Sequence, residues 1–359
     1  MANRIRVGIV GCGEVAQIIH VPALKELRDL FDITALCDVS RSVLGQVGAS
    51  CPGADLFEDY CKLIAAPTVD AVLVANPDAY HAEVVIAAIK GGKHVLLEKP
   101  IAVTLAEADA MLAAEAAAAT AVQVGYMRRY APAFLEAVAT AAKVRSEIVL
   151  ARVHDVIGPN ATIIDNTSNI FRANDLSAEF LAEGKRALRA KIGEAIGVAS
   201  GSRAVAYALL LSLSSHALSA MRELLGGMPK GVLYAAQRHG GRFLSAAFDY
   251  GHFVAQFEAG VDRIPHFDAH LEVYTPAEII RVDYDTPYVR HLPARMTTIA
   301  AETAAGVAVR SMFPTRNDSF VAEWRAFHGH ITRGTRPKTT LADARNDLVL
   351  ARDMAAKMD

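Results

Sequence analysis

The amino-acid sequence predicts an α/β first domain with a doubly wound parallel sheet over residues 1–126. An α+β domain with a mostly antiparallel open sheet is predicted over residues 127–359. Three observations carry this reading. Strand-like runs alternate with helical patterns up to about residue 126. Those runs are apolar throughout, as strands covered on both faces by helices are. Beyond residue 127, alternating runs follow one another with short turns, which marks antiparallel pairing.

The elements follow in order. "IRVGIV" is a strand ending in a glycine turn, and "VAQIIHVPALKEL" has helical apolar spacing. "FDITALCD" is a second strand, closed by Asp38, and "LFEDYCKLIA" reads as a helix. "DAVLVANP" is a buried strand that stops at Asn76 and Pro77, and "HAEVVIAAIKGG" is a helix with a glycine stop. "KHVLLEKP" is the next strand. In "TLAEADAMLAAEAAAA", Thr104 and Glu107 form a capping box ahead of an alanine-rich helix. "AVQVGY" closes the first sheet. Then come the helix "RRYAPAFLEAVATAA", the strand "SEIVLARVHDV", a polar loop over 158–170, two helical stretches reaching to about 226, a run of strands, and two closing helices that pack back on the first domain.

Composition narrows the function. The chain has 359 residues, 52% hydrophobic, with 37 basic and 39 acidic side chains. That balance argues against a nucleic-acid partner, which calls for a basic excess or stripe. The sequence has no uninterrupted apolar run of about 18 residues, so no membrane span is expected. The start lacks a secretory pattern. The four cysteines have no metal spacing and read as free thiols in a reducing cytoplasm, and no metal is expected.

"GCGEVA" is a G-x-G-x-x-A turn between a strand and a helix. Gly11 makes the tight turn, Gly13 lets a pyrophosphate approach, Ala16 permits close helix packing, and the helix opening at Glu14 and Val15 offers free N–H groups. Asp38 ends the next strand, where a ribose 2′-hydroxyl is held. The arrangement points to a dinucleotide. Asp38 favours NAD, while Arg41 leaves NADP possible because it could take a 2′-phosphate. Asn76, Pro77, His81, Glu98 and Lys99 lie at the carboxyl ends of later strands, the edge where ligands bind in such sheets.

The segments "VGIVGCGEVAQ", "VANPDAYHAEVVIAAIKGGKHVLLEKPIAVT", "VGYMRRYAPAF" and "FVAEWRAFHGHITRGTRPKTTLADARNDLVLA" together resemble the Gfo/Idh/MocA family of glucose–fructose oxidoreductase and inositol 2-dehydrogenase-like proteins. The resemblance runs through residues 5–130, recurs over 205–228 and 318–355, and is weakest over 131–200. It implies a nicotinamide-binding Rossmann domain and a second domain whose sheet pairs subunits into a homodimer or homotetramer. It also implies hydride transfer on a small hydroxylated substrate, a sugar, sugar derivative or cyclitol. In the family the lysine matching Lys99 sits beside nicotinamide and substrate, and the following peptide is often cis.

Alcohol oxidation needs a proton acceptor while hydride leaves. A lysine serves if burial and the positive nicotinamide ring lower its ordinary value of about 10.4. Glu98 ties down the strand end. The family's Asp-x-x-x-His element matches "SLSSH", with His216 in the histidine place and Ser212 where the aspartate stands. Lys99 is then the main acid/base and His216 its helper. Tyr126, Arg129 and His154 are further candidates for substrate contact, and Arg128 and Arg172 could meet an anionic substrate. The missing aspartate also admits a non-catalytic dinucleotide-binding sensor.

Overall fold

A computed structural model describes residues 4–304, 306–313 and 318–358. The chain divides into two compact units. One gathers Met1–Gly125, Ser168–Ala195 and Phe320–Leu348, the other Tyr126–Thr167, Ile196–Ser319 and Val349–Asp359.

The first unit is a parallel sheet of strands β1 (Ile5–Val10), β2 (Phe31–Cys37), β3 (Asp55–Phe57), β4 (Ala71–Val74), β5 (His94–Glu98) and β6 (Val122–Gly125). Their spatial order, β3-β2-β1-β4-β5-β6, is that of a dinucleotide-binding fold. Order reverses between β1 and β4, and the crevice at that switch point is where such sheets bind ligands. Val7, Ile9, Leu36, Leu73 and Leu96 line one core with Trp324 and Phe327 of the helix Ser319–Arg333. Trp324 is wholly buried and meets Phe31 edge to face at 5.1 Å.

The second unit holds a mixed sheet: β7 (Leu150–Ile157), β8 (Gly231–Arg238), β9 (Phe243–Asp249), β10 (Val254–Val261), β11 (Phe267–Tyr274), β12 (Glu278–Tyr284), β13 (Arg295–Thr303) and β14 (Gly306–Met312). The spatial order is β14-β13-β12-β11-β7-β10-β9-β8. Among the described residues only β7 and β10 run parallel, so the expected mostly antiparallel sheet is present. β7 alternates half-buried and buried residues along its length. Such alternation places one set of side chains against the helices and the other on the opposite face.

Several local expectations are corrected. "LFEDYCKLIA" is not one helix: Asp55–Phe57 pairs with β2, and the helix Tyr60–Ala65 starts only after Asp59 caps it. Residues 160–167, expected as loop, form the helix Asn160–Thr167, where Ile164 is buried. The alanine-rich helix stops at Ala116, inside its alanine tract, while its capping box is present, with Glu107 N–H donating to Thr104 at 3.1 Å. The stretch Ser202–Leu225 is, against expectation, long and apolar enough to cross a membrane. Its most apolar window is 72% buried within the structure, so packing accounts for its composition.

Candidate functional site

The site begins at the glycine turn. Gly11 has φ +92°, and a Cβ built there would stand 2.5 Å from the carbonyl carbon and oxygen of Ala75 and from Asn76 N. Backbone therefore crosses backbone at β4, and only glycine fits. At Gly13 an added Cβ meets nothing within 4 Å, so the turn is open on that side. The helix opens at Glu14 and Val15 and at once makes a π turn, Ala16–His20. Such turns are frequent at functional sites. Asn76 Oδ1 is buried and has no hydrogen-bond partner among the described residues. An open approach over Gly13, a helix N-terminus and an orphaned acceptor at the switch point fit a dinucleotide.

Asp38 faces this turn. Its Oδ2 accepts from Cys12 N and its Oδ1 from Ser40 N, both at 2.8 Å. Arg41 pairs with Glu58 at 2.9 Å on the surface. Its charge is matched there, which weakens the case for a 2′-phosphate. Cys12, inside the turn, is fully buried, and burial pushes its thiol up, so it is an inert core group rather than a reactive one.

Lys99 follows β5 and is half-buried. The Lys99–Pro100 peptide is cis. Lys99 N donates to Glu98 Oε2 at 3.2 Å, and Glu98 Oε1 lies 2.8 Å from His20 Nε2. Trp324 Nε1 donates to His20 Nδ1 at 3.1 Å. An indole N–H can only donate, so Nδ1 accepts and Nε2 carries the proton given to Glu98. Burial by itself pushes the Glu98 carboxyl up. The His20 hydrogen bond, with the Lys99 charge and the Lys99 amide, outweighs it and holds Glu98 below the usual range. His81 is buried and joins two loops: Nδ1 lies 2.8 Å from Pro100 O and Nε2 2.8 Å from Asn76 O. It therefore braces the Asn76-Pro77 end against the residue after Lys99.

In the second unit, Tyr126 and His216 meet edge to face at 6.1 Å. His216 lies in the helix Ser215–Leu225, just after the π turn Leu210–Ser214 that carries the exposed Ser212. Arg129 is buried and donates to Glu223 at 2.5 Å and Ser219 at 2.9 Å. Arg128 forks onto buried Asp155 at 3.2 and 3.1 Å, under the rings of Phe267 and Tyr284. His154 is not brought to the helix-covered face that Asp155 faces. It stacks on His270 at 4.9 Å and meets Glu258 at 2.9 Å and Asp268 at 3.4 Å. Arg172 reaches Glu14 at 3.3 Å.

Sequence reasoning missed His20 and Trp324. The pair lies 304 positions apart, and a lone histidine in an apolar helical run gives no sign of its partner. Gln17 was also missed, although it stands one turn into the helix after the glycines.

Residues 5–126 match the Gfo/Idh/MocA oxidoreductase family with its NAD-binding Rossmann fold. The inositol 2-dehydrogenase of Agrobacterium fabrum is 40% identical over 128 residues, 35% of this chain and 38% of that protein. That of Rubrobacter xylanophilus is 39% identical over 145 residues, 39% of this chain and 41% of that one. The matches thus span about two fifths of these relatives. The structure of the 3-ketoreductase KijD10 from Actinomadura kijaniata in complex with NADP superposes with a TM-score of 0.75, covering 99% of this chain and 98% of that one. At 19% identity that likeness is one of fold. The strand order is that of a dinucleotide-binding sheet, and over residues 5–126 the chain resembles the NAD-binding Rossmann domain of the Gfo/Idh/MocA oxidoreductase family.

Proposed function

We propose that the chain is an NAD-dependent oxidoreductase acting on a hydroxyl-bearing carbon of a sugar, sugar derivative or cyclitol, with Lys99 as the acid/base. Bound nicotinamide supplies the hydride acceptor or donor. The chain's own residues do the rest. The glycine turn cradles the pyrophosphate, and Asp38 holds the adenosine ribose. Glu98, His20 and Trp324 fix the backbone at Lys99, and His81 fixes the loop after it. Lys99 takes the hydroxyl proton in oxidation and returns it in reduction. His216 and Tyr126 offer an imidazole and a phenol to substrate hydroxyls, and Arg129 holds its helix through Ser219 and Glu223. The single observation behind this reading is the buried Glu98–His20 pair that anchors Lys99 in an NAD-binding domain.

The substrate is a small molecule, and neither nucleic acid nor a membrane enters the reading. The second sheet is the surface through which we expect a homodimer or homotetramer. The free thiols Cys12, Cys37, Cys51 and Cys61 suit a reducing compartment such as the cytoplasm. The experiment is turnover of a panel of inositols, aldoses and their keto forms with NAD, NADP and the reduced cofactors. Turnover of at least one polyol or its ketone is expected. The exposed Ser212, where the resembling family places an aspartate, favours one other reading, a dinucleotide-binding sensor. Cofactor binding without turnover of any panel member would support the sensor over the enzyme.

A further inference from the structure

Residues 171–175 belong to the first unit and run from the helix after the glycine turn to the helix after Asp38. Gln17 clamps the Phe171 backbone both ways: its amide nitrogen donates to Phe171 O and its oxygen accepts from Phe171 N, each at 2.9 Å. Arg172 reaches Glu14 on the same helix. At the far end stands Asp175. Ser40 Oγ donates to its Oδ1 at 2.5 Å, Ser42 Oγ to the same oxygen at 2.9 Å, and Ser42 N to Oδ2 at 3.0 Å. Ser40 is fully buried and caps the ten-residue helix Arg41–Ser50. Its backbone N–H donates to Asp38. One serine thus holds two carboxylates, Asp38 through its amide and Asp175 through its hydroxyl.

Asp38 marks the ribose position of the cofactor. The donors beside it, two hydroxyls and an amide at a helix N-terminus, are what a 2′-phosphate needs. Asp175 occupies all three, and Arg41, the cation next to them, is drawn to Glu58. We propose that Asp175 is a specificity-determining residue: it seats its own carboxylate on the Ser40–Ser42 donors, denies them to a 2′-phosphate, and so makes the site select NAD over NADP. The Ser40 hydrogen bond, then the Ser42 amide, holds its carboxyl down at about 2, so it stays charged at neutral pH. A phosphate there faces two negative charges and finds its donors taken. The inference rests on the dinucleotide reading above and adds a second acid, supplied by a segment far along the chain.

The test is titration of the purified full-length protein with NADH and NADPH, followed by nucleotide fluorescence, for wild type, Asp175→Ala and Asp175→Asn. Wild type binds NADH more tightly. Asp175→Ala binds NADPH about tenfold more tightly than wild type does, because like-charge opposition is removed, while NADH affinity changes less than about threefold. Asp175→Asn keeps an oxygen for Ser40 and Ser42 and so preserves the strap, and it gives the same direction of change. An unchanged NADPH-to-NADH ratio in both variants overturns the inference, as does an equal loss of both nucleotides, which would make Asp175 a structural tie only. Wild-type preference for NADPH also overturns it. Failure of wild type to bind either nucleotide overturns the cofactor reading itself, and this inference with it.

Discussion

Trp324 Nε1 donates to His20 Nδ1 at 3.1 Å, and that hydrogen bond decides what His20 can do. With Nδ1 committed as an acceptor, the ring presents its one proton to Glu98, whose other oxygen receives the Lys99 amide. The indole therefore sets the geometry of the strand end that carries Lys99.

Removing His20 leaves the Glu98 carboxylate buried without its main partner. His20→Ala is expected to destabilise the protein by about 3–5 kcal/mol, the cost of stranding a buried charge. Trp324→Phe keeps the ring packing and loses only the N–H, costing about 1 kcal/mol through the hydrogen bond. Urea unfolding of both variants checks the order, and equal losses would contradict this account of the chain of contacts.

Lys99→Met tests the acid/base role apart from cofactor binding. Turnover is expected to fall about 10²–10⁴-fold, the range for loss of a general acid/base. NADH affinity should stay within about threefold, because the glycine turn and Asp38 carry it. Activity that survives the substitution removes Lys99 from the mechanism.

His94 gives a pH signature. Burial lowers its imidazole below the ordinary 6.5, partly offset by Asp70, and its Nδ1 accepts from Ala121 N at 3.0 Å. The folded form binds a proton less readily than the unfolded chain. Stability from this site is therefore present above 6.5 and is lost as pH falls through the lower folded value. The free energy of unfolding should drop between pH 7 and pH 5, and His94→Asn should flatten that slope. A slope unchanged in the variant would place the titration elsewhere.

Arg128 and Asp155 form a buried, forked ion pair in the second unit. Asp155→Asn strands the guanidinium and should cost about 3–5 kcal/mol, whereas the joint change Arg128→Met with Asp155→Leu should cost clearly less, since no charge is left unpaired. A denaturation double-mutant cycle measures the difference. The pair also removes Arg128 from the candidates for an anionic substrate, a role its sequence position beside the last strand of the first sheet had suggested.

The Rossmann domain was legible because its signals are local. An apolar strand, a turn that only glycine can make at Gly11, and an acid at the next strand end are all short-range constraints, and each appears in the sequence where the structure uses it. The capping box of Thr104 and Glu107 is of the same kind. The errors fell where tertiary packing outweighs local preference. Residues 160–167 are polar in composition yet helical, and Asp55–Phe57 becomes a strand only because β2 offers it an edge.

What the sequence determined by itself is most of the strands and helices of the first domain, the dinucleotide turn, Asp38 and the Glu98-Lys99-Pro100 end. These depend on spacing along the chain and on the conformations single residues allow. Only the tertiary structure decided that Glu98 answers to His20 and Trp324, that Asp175 sits on Ser40 and Ser42, and that His154 and Asp155 face opposite ways. Those relationships join residues 78 to 304 positions apart or turn on which face of a sheet is covered. The apolar pattern says how much surface must be buried, but the fold chooses which polar groups meet once it is.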